Sequence, residues 1–94
     1  MKVFKTHISV DDTWQLMGIR NGMSDVLHVG NQGDPRSVQL WFLHEDTPHD
    51  ELVKFEVRVF GTGQEIHADH ATHLGTAIVA GGLFVWHVFA VEVK

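Results

Sequence analysis

Cysteine and tyrosine are absent from these 94 residues, proline occurs only as Pro35 and Pro48, and serine only as Ser9, Ser24 and Ser37. Without cysteine there is no disulfide, no thiolate metal site and no cysteine nucleophile. A domain of this size lacking disulfides suits a reducing compartment. None of the serines stands in the Gly-x-Ser-x-Gly turn that presents a hydrolase nucleophile, and no phosphate loop or framed pair of carboxylates is present. Basic charge is also scarce: Lys2, Lys5, Arg20, Arg36, Lys54, Arg58 and Lys94 are scattered against 12 acids, for a formal charge of −5. Binding to nucleic-acid phosphates needs clustered cations, so no nucleic-acid partner is expected. The acids are themselves diluted through loops and strand ends, which disfavours nucleic-acid mimicry. The longest nearly apolar stretch, Ala77 to Ala90, is broken by Gly81, Gly82 and His87 and is too short to span a bilayer. The opening residues Met1 to His7 contain no signal-peptide core. The expectation is a soluble, cytoplasmic, acidic protein.

What the chain does have is apolar bulk. Hydrophobic residues make up 44%, including six Phe and three Trp, while charged residues make up 20%. That balance supports a packed core over a self-repelling disordered chain. The length allows one domain, residues 1–94, that buries roughly 60–65% of its unfolded surface.

The dominant pattern has the period of a strand. Phe4, Thr6, Ile8 and Val10 share one face of a strand over 2–10, with Lys5, His7 and Ser9 on the other. A short strand follows from Trp14 to Ile19. Asn21-Gly22 is the strongest two-residue hairpin signal, because a type I′ turn needs positive φ at both central residues. A third strand runs from about Asp25 to Val29 and ends in turn residues from Gly30 to Pro35. Ser37–His44 is apolar on both faces, as a central strand is. In the fifth strand Val53, Phe55, Val57 and Val59 point inward and Lys54, Glu56 and Arg58 outward. Residues 64–72 are polar and aperiodic, a loop with room for one helical turn. Gly81-Gly82 then joins strands over 75–80 and 83–94 in a last hairpin. The fold class expected is all-β, mainly antiparallel, with six to seven short strands in a small sandwich or barrel and at most one short helical turn.

Chemistry-bearing residues concentrate in His67-Ala68-Asp69-His70-Ala71-Thr72-His73. Imidazole and carboxylate are the ligands zinc takes when thiolates are missing, and on a helical turn Asp69, His70 and His73 would share a face. The segment lacks the glutamate of a His-Glu-x-x-His helix, and eight His in so short a chain cluster by chance. A solvated loop therefore outweighs a metal site at His67, Asp69, His70 and His73, and no cofactor is expected. His87, between Trp86 and Val88, reads first as a hydrogen-bonded structural histidine. Its functional alternative is a pocket histidine beside an acid. Gly61-x-Gly63 lacks a third glycine and a following helix, so it reads as a turn and not as a dinucleotide fingerprint. The aromatic residues read as core.

Three segments carry a family likeness: Phe55 to Gln64, His73-Leu74-Gly75-Thr76-Ala77, and Gly82 to Phe89. Over roughly residues 38–89 the chain resembles a family of small uncharacterised proteins encoded by phages of actinobacteria. These share a phenylalanine-valine-phenylalanine-glycine-threonine-glycine stretch, a later glycine-threonine pair and a closing leucine-valine-tryptophan-histidine strand. Their pattern matches His73 and His87 but carries a proline and an acid near His67 and His70, which weakens the metal reading further. The resemblance implies an origin in an infected bacterial host and no particular activity.

The expected function is that of a non-enzymatic accessory protein that binds a protein partner or a second copy of itself, with no catalytic residue assigned. A second reading is a small-ligand binder or small enzyme with a cleft near His73 and His87. A third is a minor structural component of the virion.

Overall fold

Period-two alternation becomes seven strands in the computed structural model, which describes residues 1–93. They are β1 (Lys2–Ser9), β2 (Gln15–Ile19), β3 (Val26–Gly30), β4 (Ser37–His44), β5 (Val53–Gly61), β6 (Thr72–Val79) and β7 (Phe84–Glu92). All pairings are antiparallel. A three-stranded sheet has the order β1-β4-β3, and a four-stranded sheet the order β2-β5-β7-β6. The protein is all-β, as its alternation predicts. Helical structure among the described residues is confined to 3-10 turns, chiefly Gly22–Asp25 and His49–Glu51. No helix is long and apolar enough to cross a membrane. The polar segment 64–72 forms a loop without a helical turn and then enters β6. Of the last predicted strand, Lys94 lies outside the described residues.

The sheets face each other across one core. Ile8, Val29, Val38 and Leu40 come from the three-stranded sheet; Ile19, Phe55, Val57, Val59, Ala77, Val88 and Ala90 come from the other. Each large aliphatic or aromatic side chain removed from water there contributes about 1.5–3 kcal/mol. β4 is central in its sheet, as its apolar character on two faces predicts; β5 and β7 are the central strands of the other. The outward face of β4 also buries Gln39, 1% exposed. Its amide is satisfied: Oε1 accepts the Gln32 backbone N–H at 2.6 Å, and Nε2 lies 3.1 Å from Ser37 Oγ and 3.0 Å from His7 Nδ1.

Two expectations are corrected. Asn21-Gly22 does not close a hairpin between β2 and β3, because these strands belong to different sheets. Gly22 does adopt a positive φ of 62°, but Asn21 sits at −111°, so the type I′ pair is not formed. The Asn21 side chain instead donates to the Asp25 carboxylate, at 3.1 Å to Oδ2, and the chain steps from one sheet to the other through a 3-10 turn. A Cβ on Gly22 would stand 2.9 Å from Val53 Cγ1, so the crossover needs glycine for space as well. Val53, expected to point inward with Phe55, is 45% exposed because it begins β5 at the rim of the core.

At the other flank β3 lies against β6. A Cβ on Gly75 would come within 2.7 Å of Val29 Cβ, closer than side chains tolerate, so glycine permits this approach. Beside it the β6–β7 ladder slips by one residue between His73 and Gly75, a bulge that adds Leu74. The β6–β7 turn is a hairpin, as Gly81-Gly82 suggests, with φ of 67° and 96° at the two glycines.

Candidate functional site

The outer face of the four-stranded sheet carries the predicted histidines. Side chains alternate along β7, so His87 and Phe89 point away from the core while Val88 and Ala90 enter it. Across the ladders His87 lies opposite Phe60 on β5 and Thr76 on β6, and Phe89 opposite Arg58 and His73. Without the bulge, His73 and Thr76, three residues apart, would face opposite sides. The added Leu74 brings both outward.

The result is a continuous hydrogen-bonded row. His87 Nε2 is 2.9 Å from Thr62 Oγ1, and His87 Nδ1 is 3.0 Å from Thr76 Oγ1. Thr76 Oγ1 is in turn 2.9 Å from His73 Nε2. A neutral row has two polarities: Thr62 O–H donates to His87, His87 to Thr76 and Thr76 to His73, or every donor is reversed. Either arrangement occupies both nitrogens of His87. The imidazoles are tilted, with ring centroids 6.3 Å apart, and His73 also packs on Phe89 at 5.2 Å.

Aromatic side chains flank the row. Phe60 meets Trp14 edge-on at 6.0 Å and Phe89 at 5.8 Å, and the Arg58 guanidinium lies 4.6 Å above its ring. Arg58 reaches Asp12 at 3.4 Å, and Gln64 Nε2 donates to the same carboxylate oxygen at 3.4 Å. Phe60 is buried although it shares the outer face with Lys54, Glu56 and Arg58. The partners of the histidine row are hydroxyls. The site therefore holds no carboxylate of the kind that orients a catalytic imidazole, and the four cavities described on the molecule are lined by other residues.

The structure thus brings His73 and His87 together but not the rest of the histidine-rich segment. His67 stands in the loop beside Glu65, 3.3 Å away and largely exposed. Asp69 and His70 border a shallow hollow with Met23, Thr72, Val91 and Glu92, and His70 adopts a left-handed φ of 61°. Among the described residues no three His, Asp or Glu side chains converge at metal-ligand distances.

Thr62 and Thr76 are functional neighbours that residue-by-residue reading passes over. The signal for Thr76 is its place opposite His87; without the Leu74 bulge the count from His73 puts it on the wrong face.

A second surface feature is the β6–β7 turn. Ile78, 69% exposed, and Leu83, 74% exposed, stand on either side of Gly81-Gly82, with Ile78 on the outer face of the sheet; Phe84, 40% exposed, pairs with buried Val79 and faces the inter-sheet side. Large apolar side chains left in water mark a contact surface more than a catalytic one.

A family model described as Domain of unknown function (DUF7352) matches residues 1–94. The chain belongs to that family, which is uncharacterised. No curated protein and no solved structure matches the chain.

Proposed function

We propose that this chain is a non-enzymatic accessory protein, encoded by a phage and working in the cytoplasm of the infected cell, that acts by binding another protein through its β6–β7 turn. The observation that carries the reading is the exposure of Ile78 and Leu83 on the two sides of the β6–β7 turn. Burying these side chains in a partner supplies the apolar centre that specific interfaces share. The histidine row offers less to chemistry, because both His87 nitrogens are satisfied by threonine hydroxyls and its hydrogen-bond partners include no acid.

The test compares two variants with the wild-type chain. Ile78→Ser with Leu83→Ser should keep the wild-type melting temperature within a few degrees and abolish retention of a defined host protein on immobilised chain. His87→Gln should retain that protein. The reverse pattern, with loss of the biological effect in a folded His87→Gln chain and none in the double variant, would transfer the function to the histidine row and to a small ligand or substrate.

A further inference from the structure

A cleft of about 390 Å³ opens between the two sheets at the end where β1 and β4 meet the start of β7. Its walls are Val10, Pro35, Phe84 and Trp86, with Arg36 at the margin. Volumes of about 300–1,000 Å³ with mostly apolar walls and a few polar groups are those of small-ligand sites. Phe84 and Trp86, two residues apart on one face of β7, are stacked, 5° between planes with centroids 5.6 Å apart, and form a packed aromatic pair in the cleft wall.

The opposite wall is held in place. The Trp86 indole N–H donates to the Pro35 carbonyl at 3.0 Å, which ties the β3–β4 loop to β7 across the mouth of the sandwich. Within that loop Asn31 Nδ2 donates to the Asp34 and Ser37 carbonyls at 2.7 and 2.9 Å. Val10 N–H donates to the Arg36 carbonyl at 3.2 Å, joining the third wall. A cleft whose sides are bonded to each other does not spend ligand affinity on ordering them.

Its one charge is cationic and uncommitted. The ion pairs among the described residues are Arg20 with Glu45, His44 with Asp46, Arg58 with Asp12 and His67 with Glu65, and Arg36 is in none. The nearest acid in sequence, Asp34, turns its Oδ1 to the Arg36 backbone N–H at 2.9 Å. An arginine among the lining residues of an apolar cleft matches a carboxylate, which a guanidinium holds by two parallel hydrogen bonds.

We propose that this cleft binds an aromatic carboxylate, its ring against Phe84 and Trp86 and its carboxyl group on Arg36. Two sources share that chemistry: a small aromatic acid, and the terminal carboxylate of a peptide ending in an aromatic residue. The site is separate from the hairpin contact proposed above, since Phe84 faces the side of the sheet opposite Ile78.

The test follows the Trp86 indole N–H resonance of the full chain, assigned by its loss in Trp86→Phe, as phenylacetate, phenylacetamide, acetate and N-acetyl-phenylalanine are added. Phenylacetate should shift it saturably, with phenylacetamide and acetate each at least fivefold weaker. Arg36→Gln should bring phenylacetate down to the level of phenylacetamide while leaving the rest of the spectrum unchanged. Phe84→Ala should weaken all three ring-bearing probes, and Phe84→Leu, which keeps apolar volume, serves if that variant does not fold. N-acetyl-phenylalanine binding more tightly than phenylacetate assigns the peptide source, and the opposite order assigns the small acid. Ile78→Ser should leave all of these affinities unchanged, so failure of the hairpin reading would not touch this one. No shift of Trp86 with any probe, equal binding of phenylacetate and phenylacetamide, or equal binding of acetate would overturn the proposal.

Discussion

The two faces of the four-stranded sheet are made by the same strands and solve different problems. Inward, Phe55, Val57, Val59, Val88 and Ala90 are removed from water against the opposite sheet, with no polar group among them. Outward, Phe60, Arg58, Phe89 and His87 pack beside the exposed Thr76 and His73 without a second sheet above them. The inner face needs only volume and alternation. The outer one also needs pairing, which the histidine row finds and the buried Arg58 Nε does not. The comparison predicts that substitutions inside act through packing and charge burial, while those outside act through single hydrogen bonds and are correspondingly smaller.

The largest expected effect is inside. Val57→Asp places an unpaired carboxylate in the fully buried centre of β5. Its cost of several kcal/mol is comparable to the total stability of about 5–10 kcal/mol expected of a domain this small. The variant should be unfolded at 25 °C by circular dichroism. A cooperative melt near that of the wild type would mean that Val57 does not face the core.

Next comes the seam between the sheets. Gly75→Ala forces a Cβ to within 2.7 Å of Val29 Cβ and 2.8 Å of its Cγ2, both on a packed strand. Overpacking of this kind costs about 1–3 kcal/mol. The urea midpoint should fall, and Val29→Ala in the same chain should restore part of the loss. If Gly75→Ala is neutral, β3 and β6 are not in close approach.

These two sites differ in how far they can be read from the residues alone. Val57 belongs to a run whose period is local, and Ser37–His44 is bounded by turn residues on both sides, so both strands are legible without tertiary knowledge. Asn21-Gly22 shows where local reading stops. The pair does turn the chain, but whether the next strand joins the same sheet depends on the core that β3 finds, and no feature of the pair encodes that. The Leu74 bulge lies beside the close approach of Gly75 to Val29, more than 40 residues earlier in the chain. With it goes the face on which Thr76 stands, so His73 and His87 can be singled out in the sequence but not the hydroxyl that joins them. Phe60 is buried, as an aromatic residue read as core should be, but on the outer face, where Trp14 from the β1–β2 connection packs on it.

Thr76→Val tests the outer face directly. Valine preserves shape and strand preference but removes the hydroxyl that stands 2.9 Å from His73 and 3.0 Å from His87. His73 is exposed and recovers a partner from water, so the loss should be about 0.5–1.5 kcal/mol, well below that of Val57→Asp. Adding His73→Gln should cost less in the Thr76→Val chain than in the wild type, because the bond it would break is already gone. Additive losses would show that the row is a geometric coincidence. A loss as large as that of Val57→Asp would erase the distinction between the faces.

The smallest effect lies beyond both faces, in the β1–β2 connection. The Thr13 hydroxyl and, next, the Thr13 backbone N–H at 2.9 Å donate to Asp11 Oδ1, and these bonds hold the Asp11 carboxyl below its ordinary value. Because the folded state favours the ionised carboxylate, Asp11 adds stability that is fully present above its unfolded pKa of about 4 and is lost as pH falls through the lower folded value. Acidification below about pH 4 should therefore weaken the fold, and raising pH from 5 to 7 should change nothing through this group. Thr13→Val deletes the stronger donor and keeps the backbone one, so the Asp11 carboxyl should titrate closer to its ordinary value. In that variant the urea midpoint should fall less steeply between pH 5 and 3 than in the wild type. Asp11→Asn, which cannot ionise, should remove the same part of the slope, and identical slopes in all three chains would show that the turn holds Asp11 no differently from the unfolded chain. Since the carboxyl is fully exposed, the effect should be a modest change of slope and not of fold, confirming by its small size that the energetic weight of the domain lies between its sheets.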